Sequence, residues 1–162
     1  MIILGLDPGT TATGYGAVLF SDGCLHLERC GVWRPPDGPL PEKLHFLFAN
    51  LLALLEDLHP AAVSVETVFA AKNVSSTVKL SHARGVLLAA AAQHEIPVFE
   101  YEPRLVKKAL VGYGGAEKPQ VRAMVLTLLA RQRDRVPLDA ADALAVAICH
   151  IHSPKSQAPG PK

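Results

Sequence analysis

Apolar residues fall along this chain either in short unbroken runs or at helical spacing, and the change from one to the other marks out its elements. Residues 2–7 (IILGLD) form a near-continuous apolar run, as expected of a strand buried on both faces. PGTTATG turns the chain, and 15–20 reads as a second strand. Ser21, Asp22 and Gly23 mark a hairpin that leads into a third strand over 24–33. After the loop RPPDGPLP, Leu44, Leu47, Leu51, Leu55 and Leu58 recur at helical spacing, and His59-Pro60 ends that helix. A fourth strand is predicted over 62–66, a loop over 69–75, a long helix over 77–94 and a short fifth strand over 97–100. Helices over 104–110 and 119–131 flank the glycine-rich GYGGAEK, with Pro119 in a first helical turn where its missing N–H is harmless. The last helix covers 138–151, and the polar tail SPKSQAPGPK over 153–162 is expected to be disordered.

Three strands joined by short turns, then helix–strand–helix–strand, then helices, describe an α/β fold. Its five-stranded sheet is mixed, an antiparallel meander continued by parallel strands and flanked by helices. No repeat or linker interrupts the pattern, so residues 1–152 are expected to form one domain.

Composition narrows the function. Apolar runs stop well short of a membrane span, and the chain opens directly on a strand-like run, so a cytoplasmic protein is expected. Cys24, Cys30 and Cys149 form no C-x-x-C pair; if Cys24 and Cys30 share one extended strand they lie about 20 Å apart, too far for a disulfide. The net charge of +1 is low for a nucleic-acid-binding protein. Its distribution matters more: Lys72, Lys79, Arg84, Arg104, Lys107, Lys108, Lys118 and Arg122 gather in the middle of the chain.

The informative residues are four acids. Asp7 and Glu66 each close an apolar strand, and if those strands are parallel neighbours both carboxylates emerge at one sheet edge. Asp139 and Asp142 stand at i and i+3 on an otherwise apolar helix and share a face. Lys and Arg are absent from the immediate sequence neighbourhood of each acid. Burying unpaired carboxylates costs several kcal/mol each, and a divalent cation offsets that cost. Hard oxygen donors select Mg²⁺ or Mn²⁺, and two such ions about 4 Å apart can drive phosphodiester hydrolysis. Each acid alone also has an ordinary structural reading: Asp139 as a helix N-cap, Glu66 as an exposed strand end.

MIILGLDPGTTATGYG resembles the first motif of the RuvC family of Holliday junction resolvases. VETVFAAKNVSSTVKLSHARG, IPVFEYEPRLVKKALVGYGGAEKPQV and DAADALAVAICH are similar to further blocks in the family's order, so the resemblance runs from residue 2 to about 152. It implies an RNase H-like fold, with catalytic, metal-binding acids at Asp7, Glu66, Asp139 and Asp142 and two Mg²⁺ or Mn²⁺ ions per site. It implies a homodimer that binds four-way junction DNA and nicks two strands symmetrically in recombination and repair, with RuvA and RuvB as partners. Thr67 departs from the Gln or Glu that often follows the glutamate in this family.

On the same basis Phe69 is a candidate for stacking on an unpaired base near the junction centre. Lys72, Lys107, Lys118 and Arg122 are candidates for phosphate contacts, Lys107 and Lys118 foremost. The apolar long helix, with Val86, Leu87 and Leu88, offers a surface for a symmetry mate. His150, two turns past Asp142, reads either as an accessory to the site or as a complement to the helix dipole, and is left outside the core site. GLDPGTTATG also looks like the first phosphate loop of the sugar kinase and actin superfamily. That superfamily needs a second domain and a second phosphate motif, so no nucleotide cofactor is expected. The same four acids would also suit an RNA-processing nuclease, and the basic residues alone would suit a junction-binding scaffold without catalysis.

Overall fold

The computed structural model describes residues 1–67, 74–130 and 136–154. Along them run β1 (Ile2–Asp7), β2 (Thr13–Ser21), β3 (Cys24–Trp33), α1 (Leu40–Leu58), β4 (Ala62–Glu66), α2 (Val74–Gln93), β5 (Val98–Tyr101), α3 (Pro103–Val111), α4 (Lys118–Leu128) and α5 (Leu138–His152). The strands form one five-stranded sheet in the order β3-β2-β1-β4-β5. β1–β2 and β2–β3 pair antiparallel, while β1–β4 and β4–β5 pair parallel, as the strand spacing predicts.

Element limits depart from the sequence reading where long-range pairing or backbone conformation decides them. β2 starts at Thr13 rather than residue 15, because its ladder with β1 continues to Asp7 opposite Gly14. α2 starts at Val74 rather than residue 77. α4 stops at Leu128 rather than residue 131, and Ala130 just beyond it takes a left-handed conformation at φ 52° that does not continue a helix. The expected tail from 155 onward lies outside the described residues. Among the described residues no disulfide forms, and no helix is long and apolar enough to cross a membrane.

Strand alternation sends side chains to two cores. Leu4, Leu6, Ala17 and Val63 pack with Leu47, Leu51 and Leu55 of α1 and with Ala83 and Leu87 of α2. Ile3, Val18 and Ala62 face the other way, onto Val106 of α3, Val121 of α4 and Leu144 and Ile148 of α5. α5 is the most deeply seated element: between Ala140 and Ile151 every residue is buried except Asp142.

Glycines let α5 sit that close to the sheet. A Cβ on Gly5 would lie 1.9 Å from the carbonyl oxygen of Ala143, and one on Gly14 would lie 1.9 Å from that of Asp139. Both are backbone atoms, so nothing can rotate aside. Gly14→Ala is expected to destabilise the protein by about 3 kcal/mol, lowering its thermal midpoint by roughly 10 °C. A urea midpoint indistinguishable from the parent's would contradict this packing.

Candidate active site

The same alternation places the acids. Gly5 and Asp7 on β1, and Ala62, Ser64 and Glu66 on β4, share the face covered by α5, since side chains two apart lie on one side of a sheet. The parallel register pairs Leu6 with Val65, so Asp7 and Glu66 follow as neighbours at the same sheet edge. Asp142 reaches this edge from α5. The chain leaving Asp7 is held by Thr13, which is fully buried. Its Oγ1 accepts a hydrogen bond from the Gly9 N–H at 3.1 Å and donates one to the Gly9 carbonyl at 2.7 Å, closing the loop.

Asp7, Glu66 and Asp142 line one cavity of about 210 Å³ together with Lys107 and Lys118, and Pro103, Val106, Val121 and Ala145 complete its wall. Lys118 is set there by the start of α4, where the Gln120 Oε1 accepts a hydrogen bond from the Glu117 N–H at 2.9 Å. Its Nζ donates to Asp142 Oδ2 at 2.6 Å, and this bond raises the ammonium's pKa above its ordinary value.

Three acids around one cavity repel. Burial first, then the charges of Asp142 and Glu66, push the Asp7 carboxyl up from 3.8 to about 7, against a smaller opposing pull from Lys118. Glu66 is raised too, by burial and then by Asp142, with Lys118 and Lys107 opposing. The site is short of positive charge, which suits a cation held by hard oxygen donors. Among the described residues no three His, Cys, Asp or Glu side chains are already drawn together as a ligand set. The cation in place is the Lys118 ammonium.

Asp139 parts from the other three. It lies in the first turn of α5, behind the N-cap Pro137, so it is not itself the cap. It does not line the cavity; its Oδ2 is 4.0 Å from the Arg34 guanidinium, and its charge is the weakest of those that raise Asp7. The helical i, i+3 pair thus straddles the cavity rim.

Of the expected phosphate contacts, Lys107 and Lys118 come together at the cavity. Arg122 does not line it: its guanidinium donates to the Val136 carbonyl at 2.7 Å, tethering the approach to α5. Phe69 and Lys72 lie outside the described residues. Arg84 pairs with Glu100 at 2.5 Å, tying α2 to β5. His150 is buried, with its Nδ1 2.7 Å from the Tyr101 hydroxyl and its ring 4.6 Å from that of Phe99, a packed core residue rather than an exposed complement to the helix end. Sequence reasoning missed Arg34. Its only signal was the hairpin register that sets Trp33 opposite Thr13, and a bulge between Ala17 and Val18 shifts that register.

Comparison with known proteins fits this geometry. The family model described as "Crossover junction endodeoxyribonuclease RuvC" matches residues 3–150. The chain is 47% identical over 154 residues to the crossover junction endodeoxyribonuclease RuvC of Chloroflexus aurantiacus, covering 94% of each. It superposes on the RuvC structure of Thermus thermophilus with a TM-score of 0.88 at 34% identity, covering 100% of both chains. For T. thermophilus RuvC in complex with Holliday junction substrate the TM-score is 0.86 at 31% identity, with 97% of this chain and 96% of that one covered. Fold, site and sequence agree: the chain belongs to the RuvC family of crossover junction endodeoxyribonucleases.

Proposed function

We propose that this protein is a Holliday junction resolvase, a metal-dependent endodeoxyribonuclease that nicks two strands of a four-way junction symmetrically during recombination and DNA repair in the cytoplasm. The observation that carries the reading is the cavity where Asp7, Glu66 and Asp142 meet Lys107 and Lys118, in a chain of this family. A relative of similar fold was solved with a Holliday junction as its substrate. Residues 1–152 act as one nuclease domain.

Asp7, Glu66 and Asp142 are assigned as ligands of Mg²⁺ or Mn²⁺, two ions per site, with Asp139 joining from the rim. Bound there, such ions would supply an acidified water and charge stabilisation at the phosphoryl oxygens. The protein's own residues do the rest. Lys107 and Lys118 draw the scissile phosphate into the cavity and offset its charge. The apolar wall of Val106, Val121 and Ala145 limits water there, which strengthens each of these interactions. Phe69 is assigned to the junction centre, and Lys72 to a phosphate contact, by their place in the family motif. Arg122 acts by holding Val136 and hence the start of α5.

Two symmetric cuts need two sites, so the working form is a homodimer. Leu87 is buried against this chain's own core. The outward stripe of α2 is instead Val78, Ser81, His82, Gly85, Ala89 and Ala92, with Val78 47% exposed and nothing within 4 Å of a Cβ on Gly85. The small residues at Gly85, Ala89 and Ala92 let a second α2 approach closely along that half of the helix. RuvA and RuvB would deliver the junction.

The test is cutting of a synthetic four-way junction in Mg²⁺ or Mn²⁺, beside linear duplex and an RNA–DNA hybrid. Paired symmetric nicks in the junction alone are expected. Preferential cutting of the hybrid would replace this reading with RNA processing, and tight junction binding without cutting in either metal would reduce the protein to a scaffold.

A further inference from the structure

A second concave surface lies on α3 beside the active cavity. It is an open groove of about 570 Å³ lined by Glu102, Arg104, Leu105, Lys108, Gly114 and Gly115. Arg104 and Lys108 are exposed, and among the described residues neither has a carboxylate within 4.0 Å, while Glu102 at the start of the helix lines the same groove. Two exposed cations one turn apart on a short helix give the groove a positive potential that attracts an anion.

The groove is shaped in advance. Gly112, at φ 86°, ends α3 in a left-handed turn that few other residues adopt. Tyr113 then anchors the loop by donating from its hydroxyl to Gln120 Oε1 at 2.8 Å, the same oxygen that accepts from the Glu117 N–H. Gly114 lies against α3, since a Cβ there would be 3.2 Å from the Arg104 carbonyl oxygen. With no side chains on Gly114 and Gly115, a ligand can approach the backbone closely.

Position identifies the ligand class. Lys107 faces the catalytic cavity and Lys108, the next residue, faces the groove, so α3 is a ridge with cations on both flanks. Arg104 and Lys108 stand one helical turn apart, about 6 Å along the axis, close enough to meet neighbouring phosphates of one strand. An isolated phosphate would use one flank; a polymer with repeated phosphates uses both. We propose that Arg104, Lys108 and the Gly114–Gly115 backbone form a second phosphate-binding groove, which grips the backbone of the duplex arm continuing beyond the cut site over α3. This rests on the reading of the protein as a junction nuclease and adds to it how an arm is held.

The double variant R104Q/K108Q tests this in the full-length protein, with metal-free binding to a four-way junction measured between 50 and 200 mM salt. Loss of two phosphate contacts should flatten the plot of log K against log salt by about 2 and weaken binding at the low-salt end roughly 10-fold or more. Cutting at saturating enzyme should stay within about 3-fold of the parent's, because neither side chain lines the catalytic cavity. An unchanged salt slope and affinity would overturn the inference while the parent's cutting leaves the function intact. Normal binding with lost cutting would also overturn it, by placing these residues in the chemistry. If the parent neither binds nor cuts a junction, the functional reading itself fails.

Discussion

Asp7→Asn is expected to slow junction cutting by roughly 10³-fold or more, a loss of about 4 kcal/mol of transition-state stabilisation, while junction binding persists. The substitution keeps the shape of the side chain and removes its charge. Asp7 is the acid on which the whole site converges: burial and the charges of Asp142, Glu66 and Asp139, opposed by Lys118, raise its carboxyl to about 7. It also ends the central strand, between β2 and β4, so its backbone is fixed on both sides. An amide there cannot help to gather divalent cations, but it leaves Lys107 and Lys118 in place to hold phosphate. Removing a negative charge from a site that receives a polyanion should tighten metal-free binding slightly. Single-turnover cutting and gel-shift measurements on the same preparation separate these effects. Cutting within about 10-fold of the parent's would remove Asp7 from the centre of the mechanism.

Much of this site was legible in the chain, and the parts that were not share one physical reason. Strand ends are local: the apolar runs before Asp7 and Glu66 announce both the strands and the acids that close them, and the parallel register then makes the acids neighbours. The sheet order follows from short turns first and crossovers later. Helical spacing predicts that Asp139 and Asp142 share a face, but it cannot say where along that face the sheet edge falls. Gly14 decides that, because its missing side chain seats the Asp139 backbone over β2 and leaves Asp142 to face β1 and β4. Sequence neighbourhoods also made the acids look free of cations. Lys118 reaches Asp142 across 24 positions of chain, and Arg34 comes to Asp139 from the end of β3. Arg122, one of several basic residues in the middle of the chain, turns to a backbone carbonyl, which composition cannot foresee.

The repulsion among these acids should appear in stability. For an acid with a raised folded-state pKa, the native form keeps a proton that the unfolded form has already lost. Between the ordinary value of 3.8 and about 7, native Asp7 therefore binds more protons than unfolded Asp7, and unfolding free energy falls as pH rises through that window. Glu66, raised in the same direction, adds to the trend. The full shift of Asp7 corresponds to roughly 4 kcal/mol, an upper figure that residual solvation reduces. Without divalent ions, the parent should be less stable at pH 8 than at pH 5 by about 1–2.5 kcal/mol relative to Asp7→Asn, since part of the shift is already realised by pH 5. That difference amounts to roughly 3–8 °C in thermal midpoint for a chain of this size. Histidines and surface groups titrate in both proteins, so the comparison with the variant isolates the site. Adding Mg²⁺ or Mn²⁺ at pH 8 should restore the parent, by about 2.7 kcal/mol at a hundredfold excess over the dissociation constant, and should do much less for the variant. Equal pH profiles for the two proteins, or an equal gain from the cation in both, would show that the carboxylates are already balanced by Lys118 and Lys107 and that the metal binds elsewhere.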